Sequence, residues 1–422
     1  MPTHHRKPSL NGFGQGKYRT MHADSNEPRP SSATKDSPSQ PPSIAPEKNS
    51  DAERAAKRQL MRSIIQRIAT GPELSRDIDR SEARRGMEMI LDGTIDPVQA
   101  AVFLIALRMK RESDDENLGI LDALIERSKR IVAPVDEVVD LSDPFNGFNR
   151  TLPVSAFVPA LLAACGLPTI SQGVESMGPK FGATHHRVLA ACKIRTDLSP
   201  EEVGERLGNP QQGWAYCDQS VFNPDLHALT ALRTLIIKRP ALTTVEVMTG
   251  PVRGRRCTHI VTGYVHKPYA RIYALLAKSA GFDSALIVRG TEGGIVPSLR
   301  QGTRILSYGA AEALGETEEE SDISPPEVGI EQDMRAVPLP PDIKGYRRRN
   351  DDIQIDGLAI AQAAAKAGLE ALCGAPGAAR DSLVYASALI LRHTGKVRDL
   401  AQGADLARKS IDQGRALERF RS

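Results

Sequence analysis

The sequence predicts an α/β fold: a small all-α N-terminal domain, then a larger α/β domain with a mostly parallel central sheet and a helical C-terminal tail. Three observations carry this. Between residues 51 and 133 apolar side chains recur at helix spacing. After Pro134 the pattern changes to short β-branched runs, with helical segments between most of them. The chain then closes on Ala/Leu-rich helical stretches. Strands alternating with helices favour parallel pairing through crossover connections. The expected division is a disordered tail over 1–50, a helical domain over 51–133 joined by helices from about 200–240, and an α/β domain over 134–422 with a loop insertion at about 312–355.

Residues 1–50 are rich in Pro, Ser, His, Asn and charge and almost lack aliphatic side chains. Such a segment buries too little to fold, and it has no apolar stretch of the kind a secretory signal needs. Asp24, Glu27, Asp36 and Glu47 argue against a transit peptide. From Asp51, the residues Leu60, Ile64, Ile65 and Ile68 mark a first helix that Gly71-Pro72 stops. Ala83, Met87, Ile90 and Leu91 mark a second, ended by Gly93. Asp96 caps a third with Pro97 at its first position, and Ser113 caps a fourth that runs to Ile131. Met87 and Met109 read as core.

Beyond Pro134, the segments VDEVVDL, LPTIS, TTVEVMTG, THIVTGYV and SALIVRG read as strands. A helix opened by Ser199-Pro200-Glu201-Glu202 and another over Pro224–Ile237 are expected to return onto the α unit. Residues 312–355 run acidic, then Pro-rich, then basic, which suits a loop. Helices are expected over Ile355–Cys373, Ala378–His393 and Val397–Arg419.

Bulk properties exclude several classes. The apolar share of 40% and charged share of 25% are ordinary globular values. A net charge of +3 neither demands nor excludes a nucleic-acid partner, while an aromatic share of 4% with one Trp argues against a stacking platform for bases. The five cysteines show no paired spacing, so reduced thiols in a cytoplasmic protein fit better than disulfides or zinc. No run approaches the roughly 18 apolar residues of a membrane span.

Chemistry concentrates in Asp140–Ala191. Two polar loops, each leading into a helix, can present backbone N–H groups to an anion. Asn146, Arg150, Thr151 and Ser155 are suitable donors on the first loop, although Asn146-Gly147 is equally a common turn dipeptide. Gly173, Gly178, Lys180 and Gly182 shape the second, where Lys180 either neutralises phosphate or stays solvated. His185 and His186 open the following helix and read first as surface histidines, with His185 a secondary site candidate. Arg253 and Arg255, after Gly250-Pro251, are expected near the C-terminal side of a strand and suit phosphate or a solvated loop. Tyr264 and His266 lie where the sheet should meet a pocket.

From Ala52 to Phe420 this order of elements resembles glycosyltransferase family 3, the family of the anthranilate phosphoribosyltransferases. The segment ILDGTIDPVQAAVFLIALRMK is similar to the family's helical domain, and ARDSLVYASALILRHTGKVRDLAQGADLARKSIDQGRALERF to its last helices. The resemblance implies transfer of a pentosyl group from a diphosphate-activated sugar to an acceptor. It also implies a homodimer through the first helices. It assigns phosphate to Gly147, Ser155, Gly173 and Lys180, and an acceptor carboxylate to Arg233. The family's diphosphate turn is replaced by Asp143-Pro144-Phe145-Asn146-Gly147-Phe148, its Asn-x-Ser-Thr cluster by Pro153-Val154-Ser155-Ala156, and its Lys-His-Gly-Asn loop by Ser171-Gln172-Gly173-Val174. The acidic pair that binds magnesium in active members falls at Ile295 and Val296, so no metal ligand is assigned and magnesium is in doubt. A divergent branch of the family carries motifs similar to Asp143–Arg150, Met177–Gly182 and Gly263–Pro268. The expected ligand is a phosphorylated sugar or another anionic small molecule, with an acceptor other than anthranilate. The alternative is a non-catalytic protein on the same fold that binds a ligand or, less favoured, nucleic acid.

Overall fold

The computed structural model describes residues 51–71, 73–309, 318–343 and 356–422, so the expected tail and much of the insertion lie outside the described residues. Helices α1 (Asp51–Ile68), α2 (Arg80–Leu91), α3 (Pro97–Lys110) and α4 (Asp114–Arg127) come first. Asp79 and Ser113 form reciprocal capping boxes with Glu82 and Glu116, while Asp96 accepts from the Val98 amide. The apolar stripes meet on Met61, Ile64, Met87, Phe103 and Leu121, all fully buried. Gly119 lets α4 touch α2, since a Cβ there would lie 2.2 Å from the Arg80 carbonyl oxygen.

The α/β part follows with β1 (Ile131–Val132), β2 (Glu137–Ser142), α5 (Val158–Ala164), β3 (Thr169–Gly173), α6 (His185–Ala191), α7 (Pro200–Gly208) and β4 (Trp214–Asp218). Next come α8 (Gln219–Phe222), α9 (Pro224–Ala228), α10 (Thr230–Ile236), α11 (Leu242–Val245), β5 (Val252–Arg253), β6 (Cys257–Gly263), α12 (Pro268–Ser279), β7 (Ser284–Val288), β8 (Thr303–Tyr308) and β9 (Glu319–Ile323). The tail is α13 (Gly357–Leu372), α14 (Ala378–His393), α15 (Leu400–Asp412) and α16 (Arg415–Arg421).

The larger sheet runs β4-β3-β2-β6-β7-β8-β9, and β1 pairs separately with β5. Pairing is parallel from β4 to β7, with Leu141 opposite both Ser171 and Val261, and antiparallel from β7 to β9. Successive side chains point to opposite faces. Val139, Leu141, Val261 and Leu286 therefore pack against α5 and the C-terminal helices, while Ile260, Ala285 and Ile287 pack with α12 and the helical domain. The Phe420 ring stacks between Trp214 and Phe157, which locks α16 onto the sheet side. No described helix is long and apolar enough to cross a membrane.

Several expectations need correction. TTVEVMTG is not a strand: Leu242–Val245 is helical and Glu246–Met248 is a 3-10 turn. α4 stops at Arg127, because Ile131–Val132 pairs with β5. α7 packs on β1, β4 and β5 rather than on the α unit, whereas α10 and α11 do reach α3 and α4. Met109 is 75% exposed at the outer end of α3. β9 and the turn Pro325–Val328 add structure within the expected insertion, and Gly414 divides the last helix.

Candidate anion site

The parallel strands β2, β3, β6 and β7 end side by side at Ser142, Gly173, Gly263 and Val288. The loops that follow them meet beyond the carboxyl edge of the sheet, the usual ligand position in open α/β folds. Two of these loops are laced together by their backbones. Phe148 and Ala183 exchange N–H···O bonds of 2.8 Å, and the Gly182 amide donates to the Asn146 carbonyl at 3.0 Å. Gly147, at φ 73°, sits so close that a Cβ would lie 2.6 Å from the Gly182 carbonyl carbon. Glycine is required here by turn geometry and close approach together.

Beyond the loops lies an open cleft of about 2030 Å³, lined by Arg150, Lys180, Lys238, Arg239, Arg289, Arg304 and Arg335 against Glu292, Asp322, Asp342 and Asp356. Arg304 is ion-paired with Glu320 and Asp322. Lys238, Arg239, Arg289 and Arg335 have no ion-pair partner among the described residues. Burial pulls the Lys180 ammonium down to about 8, with Arg239 and Arg150 pushing the same way and Glu292 opposing. Burial also lowers Arg239.

Two carboxylates dominate the loops. Asp143 is buried, and its Oδ2 accepts from Ser155 Oγ at 2.5 Å and lies 2.9 Å from His185 Nε2. Its Oδ1 accepts from the Ile295 amide at 2.8 Å, and His185 Nδ1 meets Ser171 Oγ at 2.6 Å. Asp143 thus pins the loop after β7 to the loop after β2 instead of facing a ligand. Glu292, at φ 52°, turns its carboxylate onto the first loop. It accepts from the Asn149 amide at 3.3 Å, the Arg150 amide at 2.9 Å and Thr151 Oγ1 at 3.0 Å, and its Oε2 lies 3.6 Å from Lys180 Nζ.

Of the residues expected to bind an anion, Arg150, Thr151, Lys180 and His266 line the cleft. Asn146, Gly147, Ser155 and Gly173 are buried beneath it, and Gly173 sits against the Tyr216 hydroxyl. His185 is no surface residue, since both its ring nitrogens are engaged in the Asp143 network. His186 meets Asp218 and Thr196.

Arg233 does not face the cleft. It is 1% exposed and bonds both oxygens of Glu246 at 2.6 Å. Arg253 and Arg255 precede β6 and so lie at the amino edge of the sheet, opposite the cleft. Arg253 donates to the Ala280 and Gly281 carbonyls and covers the Phe282 ring at 3.9 Å, and burial brings it down to about 10. Sequence reading missed Lys238, Arg239, Arg289 and Arg335. Only Arg289 carried a signal, at the end of the segment SALIVRG and immediately after β7.

A magnesium ion held by the protein does not fit. Ile295 is 1% exposed within the main core, Val296 packs against that core, and neither supplies oxygen from its side chain. Among the described residues no group of three His, Cys, Asp or Glu side chains is placed to hold a metal.

Residues 62–128 match the helical bundle domain of the glycosyl transferase family. The chain is 26% identical over 361 residues to the anthranilate phosphoribosyltransferase of Nitrobacter hamburgensis, covering 86% of this chain and 97% of that protein. It is 27% identical to that of Thermomicrobium roseum, over 86% and 95%. Its fold is similar to the Thermus thermophilus anthranilate phosphoribosyltransferase (TM-score 0.66, 18% identity, 86% of this chain and 97% of the other). It is also similar to the Saccharomyces cerevisiae protein in complex with PRPP and Mg (TM-score 0.67, 14% identity, 86% and 96%).

Proposed function

We propose that this chain, a divergent anthranilate phosphoribosyltransferase-like protein, is a transferase of the phosphoribosyl type, moving a pentosyl group from a diphosphate-activated sugar to an acceptor other than anthranilate. The observation that carries the reading is the cluster Lys238, Arg239, Arg289 and Arg335, cations without ion-pair partners among the described residues, around the cleft at the carboxyl edge of the sheet. Breaking the anomeric C–O bond leaves negative charge on the departing diphosphate, and fixed cations in a partly desolvated site stabilise it. Lys180 lies beside them with its side chain only 20% exposed, and burial lowers both it and Arg239. The acceptor differs because Arg233 is committed to Glu246 and is not available to a carboxylate.

Phosphorus NMR on the protein mixed with phosphoribosyl diphosphate and a panel of amines and aromatic acids tests this reading. Acceptor-dependent release of diphosphate supports it. Turnover with anthranilate alone overturns the acceptor assignment, and no release with any acceptor overturns the transferase. A second reading, a non-catalytic anion-binding protein, is favoured by one observation: Glu292 fills the amide cradle of the first loop.

Lys180 gives the site a pH dependence. An ammonium at about 8 is charged below that pH and neutral above it. Affinity for phosphoribosyl diphosphate is expected to be flat below neutrality and to fall by up to about tenfold per pH unit above that value. Calorimetric titration across pH 6.5 to 9.5, in roughly half-unit steps, checks the break.

We also propose pairing of two copies through the N-terminal helices. Val98 and Met109 on α3 are 70% and 75% exposed, and Leu235 on the adjoining α10 is 78% exposed. Sedimentation should give a dimer, and a clean monomer would exclude the pairing.

A further inference from the structure

We infer that the loop Asn149–Thr151 together with Lys180 is a phosphoryl-binding subsite of the cleft and that Glu292 is its resident internal occupant, displaced when ligand binds. This rests on reading the cleft as an anion site. Two consecutive backbone amides, a hydroxyl and an ammonium converge on one carboxylate, whose side chain is 8% exposed. Convergent N–H groups in a loop form an anion receptor whatever anion fills it. A phosphoryl group offers three oxygens and a second charge where the carboxylate offers two oxygens and one, so it can take over each of these donors.

The exchange needs no movement of the backbone. Gly263 and Gly290 lie against the Gly294 carbonyl, where a Cβ on either would come within 2.0 and 1.8 Å of its oxygen. The Ile295 amide is held by Asp143. The segment carrying Glu292 is therefore clamped on both sides, and rotation of the Glu292 side chain into the adjoining cleft is the free motion. The left-handed φ of 52° is unusual for a residue with a Cβ and is retained here although glycine stands on the C-terminal side at positions 293 and 294. It directs the carboxylate at the cradle.

The consequence is competition within one molecule. Wild-type affinity for a phosphoryl ligand is reduced by the occupancy of Glu292, and emptying the cradle removes that reduction. Glu292→Gly is the cleanest variant, because glycine accepts this φ without strain. Glu292→Gln keeps the bulk and removes the charge. Inorganic pyrophosphate is the probe, titrated by calorimetry at pH 7 into wild type, each variant, and Glu292→Gly combined with Thr151→Val.

Glu292→Gly is expected to bind pyrophosphate at least about tenfold more tightly than wild type, with Glu292→Gln between them and the gain lost in the double variant. Equal affinity in wild type and Glu292→Gly would overturn the inference, as would a gain that survives Thr151→Val. Thermal melting of each variant establishes that it is folded. If the Gly variant is unstable, the Gln variant decides by the same criterion. A gain in the variant alongside a wild type that ignores phosphoribosyl diphosphate would sustain the subsite and sink the transferase. Wild-type binding of phosphoribosyl diphosphate with no gain would do the reverse.

Discussion

Replacing Arg233 by alanine is expected to destabilise the protein by about 3–5 kcal/mol and to leave its affinity for phosphoribosyl diphosphate unchanged. The guanidinium makes two bonds of 2.6 Å to Glu246, and Thr243 and Gln219 complete the cluster. Glu246 is fully buried, so truncating its partner strands a carboxylate beside Leu242 and Val245. The large figure reflects that stranded charge and not the net value of the pair. Replacing both residues by apolar ones of similar size, Arg233→Met with Glu246→Leu, should recover most of the loss. Urea denaturation of the two single variants and the double variant measures this. A stable Arg233→Ala that no longer recognises an acidic acceptor would put the side chain in the cleft after all.

Asp143→Ala is expected to cost about 2–4 kcal/mol, since three buried donors lose their acceptor at once. Ser155 and His185 have other partners and will re-pair in part. The Ile295 amide has no such recourse, because its acceptor in the fold is the Asp143 carboxylate. Asp143→Asn should cost less but still be measurable, as one of its two polar atoms becomes a donor facing donors. The same change should release the loop that carries Glu292, so hydrogen exchange at Thr291–Val296 should quicken well beyond the global loss of stability. Unchanged exchange there would mean that the glycine packing alone fixes the loop.

Local chemistry explains which parts of the fold could be read from the residues. Asp96, Ser113 and Ser199 cap helices where their side chains predict, and the helix over Ala378–His393 has the expected bounds. TTVEVMTG misleads because its β-branched residues obey burial over propensity. Val245, Val247 and Met248 are core in a helical turn that sets Glu246 against Arg233. β4 escapes because all five of its residues are buried, which erases alternation. β9 escapes for the opposite reason, being an acidic, exposed edge paired to β8.

At the site, Thr151 and Lys180 were legible as polar residues in loops between a strand and a helix. The fate of their donors was not. The hydrogen bonds from Asn149, Arg150 and Thr151 to Glu292 join residues more than 140 positions apart, and backbone amides leave no mark on a sequence. Asp143 puts a carboxylate at the start of the turn that replaces the diphosphate turn of the family the chain resembles. That carboxylate is turned inward, and both its oxygens are taken up by hydrogen bonds.

The most direct test of the central claim, that this cleft binds a diphosphate-bearing sugar, is calorimetric titration of phosphoribosyl diphosphate at pH 7. Wild type and Lys180→Met would be compared, each with and without magnesium in solution. Micromolar binding by wild type that weakens by about tenfold or more in Lys180→Met is the expected result. No heat from wild type under either condition, or equal affinity in the two proteins, would contradict it.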